Sequence, residues 1–199
     1  MGDIPEMNRE KKNTVLNPPN LLSILRILLI PVFLFFMIKK KTPEAFVVFL
    51  FAGFTDILDG FTARLWHMKT KIGAFLDPAA DKLLMTASII VLTIPSLNSP
   101  NVIPPWLTIT VIGRDLLIVS AAFILYLLRG QKTFLPTLLG KSCTVLQVMV
   151  ILIVLFLNTR QVSFPLLIWL YLLTLLFTVL SAVDYSFVGV RMLNRPKEI

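Results

Sequence analysis

Histidine and cysteine are almost absent from this chain, which has one of each among its 199 residues. The single thiol, Cys143, has no second cysteine with which to form an internal disulfide or a cysteine metal cluster. The single histidine, His67, follows Trp66 at the end of an apolar segment, where an interfacial residue is more common than a ligand or a base. A metal site in this protein is therefore expected to use other ligands.

Charged residues are also scarce, at 15% of the chain against about 25% in an ordinary soluble domain. The hydrophobic fraction is 56% and the mean hydropathy is +0.83. A helix needs about 20 apolar residues to cross the hydrocarbon layer of a membrane. The sequence therefore predicts an all-α integral membrane protein with six transmembrane helices, over residues 21–38, 45–66, 72–94, 104–128, 134–157 and 164–187.

Little of the chain is left outside these predicted spans. Residues 1–20 are predicted to form an N-terminal juxtamembrane segment on the cytoplasmic surface. Its last four residues, 17–20, read Asn-Pro-Pro-Asn and predict a turn before the first helix, because proline is unsuited to a helix interior. Residues 21–187 are predicted to form the membrane domain, and residues 188–199 a basic cytoplasmic tail.

Lysine and arginine give the chain a net charge of +8, and they border the predicted spans. More of them lie on the side of the two termini than on the opposite side, so the positive-inside rule predicts cytoplasmic termini. The run Lys39–Lys41 is the exception, because this topology puts it outside. Anionic lipid headgroups account for the positive charge better than nucleic acid does, and no nucleic-acid partner is expected.

Acidic residues are rare within the apolar segments, and four aspartates there follow one pattern. A carboxylate inside a membrane costs several kcal/mol, so it is a functional-site hypothesis by default. The pattern is Asp56-x-x-Asp59-Gly60-x-x-Ala63-Arg64, then eight residues, then Gly73-x-x-x-Asp77-x-x-x-Asp81.

Helical spacing puts these aspartates on shared faces. At about 100° per residue, Asp56 and Asp59 lie within one arc of the second helix, and Asp77 and Asp81 line one face of the third. A loop of about five residues joins the two helices, so we expect them to be antiparallel neighbours. The four carboxylates would then converge near the cytoplasmic end of the bundle.

Carboxylates without histidine or cysteine favour a hard divalent cation, Mg²⁺ or Mn²⁺. Four carboxylates can hold two such ions, a geometry suited to in-line displacement at phosphorus. Arg64 would reach a bound phosphate, and Gly60, Ala63 and Gly73 leave room for a bulky group beside the backbone. Ion pairing, sodium binding and proton relay in a transporter are the alternatives, although a transporter of that kind predicts matching halves, which this sequence lacks.

At these residues the chain resembles the CDP-alcohol phosphatidyltransferases, whose pattern is D-x-x-D-G-x-x-A-R, about eight residues, and G-x-x-x-D-x-x-x-D. The similarity extends to the first span, where residues 19–23 read Pro-Asn-Leu-Leu-Ser and are followed by Arg26 and Pro31. It also extends to Gly140 and Lys141 in the fifth span. The resemblance implies a six-helix membrane fold, commonly a homodimer, with an active site open to the cytoplasm.

The resemblance also implies a role for each residue of the pattern. The ligands of two divalent metal ions would be Asp56, Asp59, Asp77 and Asp81. The residues that hold the CDP part of a CDP-diacylglycerol donor would be Gly60, Ala63, Arg64 and Gly73. Asp81 would also be the general base that deprotonates an acceptor hydroxyl, which attacks the phosphorus bearing the diacylglycerol and releases CMP.

The acceptor is the less specific part of this prediction. The resemblance implies that Arg114 and Lys141 bind the acceptor's phosphate, since basic residues from these spans do so in the family. The alternative is that they pair with Asp115 or extend to the interface. Asp184 in the sixth span has no motif, and a helix-end position or an ion pair is expected for it.

Chains of this length and opening resemble phosphatidylglycerophosphate synthases, which use glycerol 3-phosphate, and this acceptor is the first prediction. Those enzymes usually carry Arg-Glu in the fourth span and a second Arg about seven residues later. Here the pair is Arg114-Asp115, and the later positions are Ala121 and Ala122. The fourth span also resembles that of single-chain cardiolipin synthases, so phosphatidylglycerol is the alternative acceptor.

Overall fold

The structure, a computed structural model, describes residues 18–66, 73–98, 100–129 and 137–194. For residues 18–20, 57, 59–66, 73–77, 126, 128–129, 190 and 192–194 it describes the backbone alone. Within these ranges the chain is all-helical. The six helices are α1 (Pro18–Ile38), α2 (Thr42–Trp66), α3 (Gly73–Leu92), α4 (Pro105–Arg129), α5 (Leu138–Thr159) and α6 (Leu167–Asn194).

Each helix lies at one predicted span, and two of the differences in their bounds fall at the first helix and the last. The turn expected at residues 17–20 is wrong for its later part, because α1 begins at Pro18. Proline suits the first turn of a helix, where its missing N–H would have no intrahelical partner. At the other end α6 continues to Asn194, so the predicted tail at 188–199 is helical over its first half.

The outer surface of the bundle is apolar, as expected for a protein whose solvent is lipid. Leu28 of α1, Val47 of α2, Ile109 of α4 and Trp169 of α6 are each at least 60% exposed. Four helices are long and apolar enough to cross a membrane, with windows Leu21–Ile38, Pro105–Leu125, Leu138–Thr159 and Leu167–Gly189. The fold is therefore that of a helical membrane protein, whereas membrane spans at α2 and α3 stay predictions.

Helix α1 is the shared neighbour of α2 and α3. It runs antiparallel to α2, because Arg26 of α1 meets Asp56 late in α2, and Phe33 packs on Phe49 earlier in α2 with ring centroids 5.9 Å apart. We expected α2 to pack directly against α3, but in the described part of the chain each of the two helices packs mainly against α1. The fully buried Phe33 and Met37 of α1 belong to the same core as residues of both helices.

The second half of the bundle is organised around α6, against which α4 and α5 pack. Helix α5 also contacts α2 and α3 and so joins the two halves. A buried amide pair ties the loops at one end: Asn101 Nδ2 donates to Asn158 Oδ1 at 3.0 Å, and Asn158 Nδ2 donates to the Asn101 carbonyl at 2.9 Å. Because both amides are satisfied, this end is well fixed.

The opposite end collects the charged residues, and we call it the charged end. Three contacts define it: Arg26 with Asp56, Lys82 with Asp115, and the Thr137 N–H with the Tyr185 hydroxyl. The first and third contacts join the earlier part of an odd-numbered helix, or the residue just before it, to the later part of an even-numbered one, whereas Lys82 and Asp115 lie near the middle of α3 and α4. The alternating direction of the helices therefore brings the first turns of α1, α3 and α5 to the same end as the last turns of α2, α4 and α6.

Candidate functional site

The carboxylate of Asp56 is held by a buried arginine from another helix. Arg26 Nη1 lies 2.7 Å from Asp56 Oδ1; the Arg26 side chain is fully buried, whereas the Asp56 side chain is 48% exposed. The buried cation therefore fixes one oxygen of Asp56 and leaves the carboxylate accessible. Sequence reasoning gave Arg26 no role, although a lone basic residue inside an apolar span was the available signal.

Asp81 lies on α3 within electrostatic range of this pair. Its charge interacts with those of Asp56, Arg26, Lys82 and Asp115. Asp56 and Asp81, two of the four predicted metal ligands, are therefore close enough for their charges to interact, although they are on different helices. These two carboxylates share one cation from α1, Arg26.

The remaining residues of the pattern lie on the adjoining turns of α2 and α3, but outside the described side chains. They are Asp59, Gly60, Ala63, Arg64, Gly73 and Asp77. Among the described side chains, no group of three or more His, Cys, Asp or Glu residues is placed to hold a metal ion. Since that search includes only half of the aspartate quartet, the quartet stays a prediction.

The donors that are described fit a hard divalent cation. Asp56 and Asp81 offer only carboxylate oxygens, which Mg²⁺ and Mn²⁺ prefer. Cys143, a soft donor, lies elsewhere: it is fully buried against Thr178 of α6. Divalent-metal dependence is typical of proteins with this aspartate pattern, and the chemistry of the described ligands agrees with it.

A cavity of about 590 Å³ opens at the charged end between α3, α4, α5 and α6. Its basic wall contains Lys82, Arg114 and Lys141, and the one acidic residue that the structure describes in its lining is Asp115. Much of the remaining lining is aliphatic, including Leu116 and other side chains of α4. The cavity therefore offers positive charge beside an apolar surface, which suits a phosphate that carries an organic group.

Arg114 is rigidly held in the wall of this cavity. Its Nη1 donates to Asp115 Oδ1 at 2.7 Å, and its Nε and Nη2 donate to Ser181 Oγ at 3.1 and 2.7 Å. The guanidinium also lies 5.4 Å from the ring centroid of Tyr185. The expected pairing with Asp115 therefore occurs, and it leaves a fixed guanidinium with more N–H donors than these contacts use.

Asp115 makes a second ion pair that sequence reasoning missed. Its Oδ2 accepts from Lys82 Nζ at 2.9 Å, so that one carboxylate joins α3 to α4 and holds two cations of the cavity. Lys82 directly follows Asp81, so this pair connects the cavity to the aspartate site. The adjacency of Asp81 and Lys82 was visible in the sequence, but their partner 33 residues away was not.

Lys141 lines the same cavity from α5, but unlike Arg114 it is not held by an ion pair among the described residues. It is exposed, and within the described residues it makes no salt bridge. The preceding Gly140 allows α5 to approach α6, since a Cβ there would lie 2.7 Å from the Tyr185 hydroxyl oxygen. The structure therefore brings both predicted acceptor residues, Arg114 and Lys141, to one cavity, with Lys141 as the more available cation.

Comparison with known proteins agrees with this arrangement. Residues 16–180 match the family model of CDP-alcohol phosphatidyltransferases. The CDP-diacylglycerol–glycerol-3-phosphate 3-phosphatidyltransferase of Aquifex aeolicus is 32% identical over 180 residues, covering 89% of this chain and 98% of that protein. Cardiolipin synthase (CMP-forming) of Rattus norvegicus is 42% identical over 106 residues, covering 53% of this chain and 33% of that protein.

A third relative, like the rat protein, is matched over only part of its length. A probable cardiolipin synthase (CMP-forming) of Drosophila melanogaster is 37% identical over 129 residues, which cover 63% of this chain and 38% of that protein. The matched region is thus only 33–38% of either animal protein, whereas it is almost all of the Aquifex protein. The family model covers most of this chain. The chain therefore belongs to the CDP-alcohol phosphatidyltransferase family and is a transferase.

Proposed function

We propose that this chain transfers the phosphatidyl group of CDP-diacylglycerol to a hydroxyl of glycerol 3-phosphate and releases CMP. The observation that carries the proposal is that a pair of carboxylates and a basic cavity lie side by side at the charged end. The carboxylates of Asp56 and Asp81 lie within electrostatic range of each other, and the cavity lined by Arg114 and Lys141 adjoins them through Lys82. Similarity to the Aquifex enzyme over nearly its whole length supports the same acceptor.

The metal ligands in this proposal are Asp56, Asp59, Asp77 and Asp81, for two Mg²⁺ or Mn²⁺ ions. When bound, the ions would neutralise the diphosphate of the donor and the charge that develops on the leaving phosphate. The pairing of Asp56 with Arg26 orients one ligand before any ion arrives. Such orientation in advance favours metal binding, because a fixed carboxylate loses less conformational freedom when the ion binds.

The donor is assigned to the two helices that carry the pattern. The residues proposed to hold its CDP part are Gly60, Ala63, Arg64 and Gly73. Small residues let the nucleotide lie close to the backbone, and a guanidinium suits a phosphate because it donates two parallel hydrogen bonds.

Asp81 is proposed as the general base. It accepts the proton of the acceptor hydroxyl while the hydroxyl oxygen forms a bond to the phosphorus that bears the diacylglycerol. The bond between that phosphorus and the oxygen of CMP breaks, and CMP leaves with the electron pair. Arg114 and Lys141 hold the acceptor's phosphate, so the reacting hydroxyl is directed towards Asp81.

Acceptor-dependent CMP release tests the proposal. Purified protein in detergent is incubated with CDP-diacylglycerol and Mg²⁺, with or without glycerol 3-phosphate, and CMP and the lipid product are separated by chromatography. We expect CMP and phosphatidylglycerophosphate in equal amounts, no reaction in EDTA, and recovery on addition of Mg²⁺ or Mn²⁺. CMP release that does not depend on an acceptor would contradict the proposed transfer.

The second candidate acceptor is phosphatidylglycerol, which would make the protein a cardiolipin synthase. The aliphatic lining of the cavity favours it, since a lipid acceptor needs one phosphate contact and an apolar flank. The similarity to the animal cardiolipin synthases points the same way. Replacing glycerol 3-phosphate by phosphatidylglycerol in the same assay decides between the two, because only this acceptor yields cardiolipin.

The cellular setting follows from the same proposal. We place the protein in a bacterial inner membrane as a homodimer with six spans in each subunit. The charged end would face the cytoplasm, where the CDP headgroup of the lipid donor is in water. Residues 1–20 lie on that surface, residues 21–187 form the membrane domain, and residues 188–199 form its cytoplasmic tail. Labelling of single cysteines introduced beside Lys40 and Arg191 in intact cells tests the orientation, and cross-linking in membranes tests the dimer.

A further inference from the structure

We infer that Asp115 is a positioning residue that holds the Lys82 ammonium away from the neighbouring base Asp81. The inference deepens the proposed function and rests on it, since it concerns the base of that reaction. It assigns Asp115 no contact with a reacting atom. Asp115 acts by pairing with Lys82, whose ammonium could otherwise form an ion pair with the carboxylates of the proposed metal site.

The first support is the direction of two adjacent side chains on α3. Consecutive residues of a helix point about 100° apart, so Asp81 and Lys82 do not face each other by default. Asp81 lies within electrostatic range of Asp56 and Arg26, and also of Lys82 and Asp115. Lys82 Nζ instead lies 2.9 Å from Asp115 Oδ2 on α4. The ion pair with Asp115 therefore holds the lysine ammonium at α4.

The second support is the flexibility of the lysine. The Lys82 side chain is 40% exposed, and its long stem has several rotatable bonds. The charges of Lys82 and Asp81 already interact in the described arrangement. Without Asp115, the Lys82 ammonium would be available to pair with Asp81, the carboxylate that precedes it in the chain. A lysine paired there would compete both with a metal ion and with the proton that the base must accept.

The third support is the anchoring of Asp115 itself. Its Oδ1 accepts from Arg114 Nη1 at 2.7 Å, while Arg114 is bound on its other side to Ser181 of α6. The Asp115 side chain is only 18% exposed, so solvent competes weakly for it. A carboxylate is needed for this position because both oxygens accept from a cation, whereas an asparagine offers one acceptor and one donor.

The kinetic test combines two substitutions. In Asp115→Asn we expect kcat for CMP release, at saturating acceptor, to fall by about tenfold or more. Lys82→Met in the same chain removes the competing cation, so the double variant is expected to recover to within about threefold of Lys82→Met alone. Asp115→Glu, which keeps the charge, should stay near the wild type, and Asp184→Asn serves as a matched control outside the site.

A second readout does not depend on activity. Mn²⁺ binding to the purified protein, followed by electron paramagnetic resonance, should weaken by about tenfold in Asp115→Asn and recover in the double variant. If the wild type releases no CMP with any acceptor, the proposed function fails, while this titration still decides the inference. Unchanged Mn²⁺ affinity in Asp115→Asn, or a double variant as impaired as the single one, would overturn it.

Folding is checked by thermal unfolding of each variant. If Asp115→Asn does not fold although the double variant folds, Asp115 only neutralises Lys82 within the fold, and the inference is wrong. If neither variant folds, Asp115 has a structural role and the inference is wrong.

Discussion

Arg26 of α1 and Asp56 of α2 form an ion pair of 2.7 Å in which the cation is fully buried and the carboxylate is half-exposed. This asymmetry suits a metal ligand, because one oxygen is fixed by the protein while the carboxylate stays accessible. It also makes α1 a part of the site, although none of the four predicted metal ligands lies on that helix.

Substitution of Arg26 by Met tests this relationship. It removes a buried cation and its ion pair with Asp56, so we expect a loss of about 2 kcal/mol in the free energy of unfolding, together with weaker activity. Arg26→Lys should retain part of both, since it keeps the charge. Thermal unfolding in detergent measures the effect. Glu44→Gln, which breaks the exposed 3.8 Å pair with Lys41, should change stability by less than about 0.5 kcal/mol.

Substitution of Asp81 by Asn tests the proposed base. Because the amide cannot accept the proton of the acceptor and binds a divalent cation poorly, CMP release should fall by about 10²- to 10⁴-fold. Stability should change little, as Asp81 is only partly buried and keeps its size. The measurement is the initial rate of CMP formation beside Asp184→Asn. Full activity of Asp81→Asn would show that the base is another residue.

Substitution of Gly140 by Ala tests the close approach of α5 to α6. The added Cβ would lie 2.7 Å from the hydroxyl oxygen of Tyr185 and 2.9 Å from its Cε2, so the helices must separate or the ring must move. We expect a loss of about 1–3 kcal/mol in unfolding free energy. Gly53→Ala and Gly113→Ala are matched controls, because nothing lies within 4 Å of a Cβ at either position. Equal stability of all three variants would contradict the packing argument.

Substitution of Lys141 by Met tests the acceptor site. Lys141 is exposed and makes no salt bridge among the described residues, so its loss should leave stability unchanged. The KM for glycerol 3-phosphate should rise by about tenfold, with a smaller effect on kcat, because a contact with the phosphate is made equally in the ground state and the transition state. Lys41→Met, which is also exposed but lies at the other end of the bundle, should leave the KM unchanged.

Arg114 provides a contrast with Lys141 in the same cavity. Arg114→Met leaves Asp115 without one of its two cations and Ser181 without its donor, so both stability and activity should fall. The expected loss of stability is about 2–3 kcal/mol, measured by thermal unfolding. A variant with wild-type stability and only a raised KM would show that the contacts with Asp115 and Ser181 contribute little to folding.

Much of the fold was predictable because its signals are local. Apolar runs of about 20 residues predict helices one at a time, and all six helices lie at the expected places. The boundaries were less certain, since proline at the first turn of α1 looked like a turn, and the last turns of α6 looked like a tail. The aspartate pattern was equally clear, because a spacing of three or four residues puts two side chains on one face of a helix whatever the helix packs against.

The contacts between helices could be read only from the tertiary structure. No local signal joins Arg26 to Asp56, or Lys82 to an aspartate 33 residues later, because either pairing depends on which helices are neighbours and in what register. The insertion of α1 beside both α2 and α3 likewise depends on how bulky side chains such as Phe33 fill the core. The sequence by itself therefore determined the helices and the chemistry of the aspartates. Packing alone decided which cations accompany them, since ion pairs across helices form only where the helices meet.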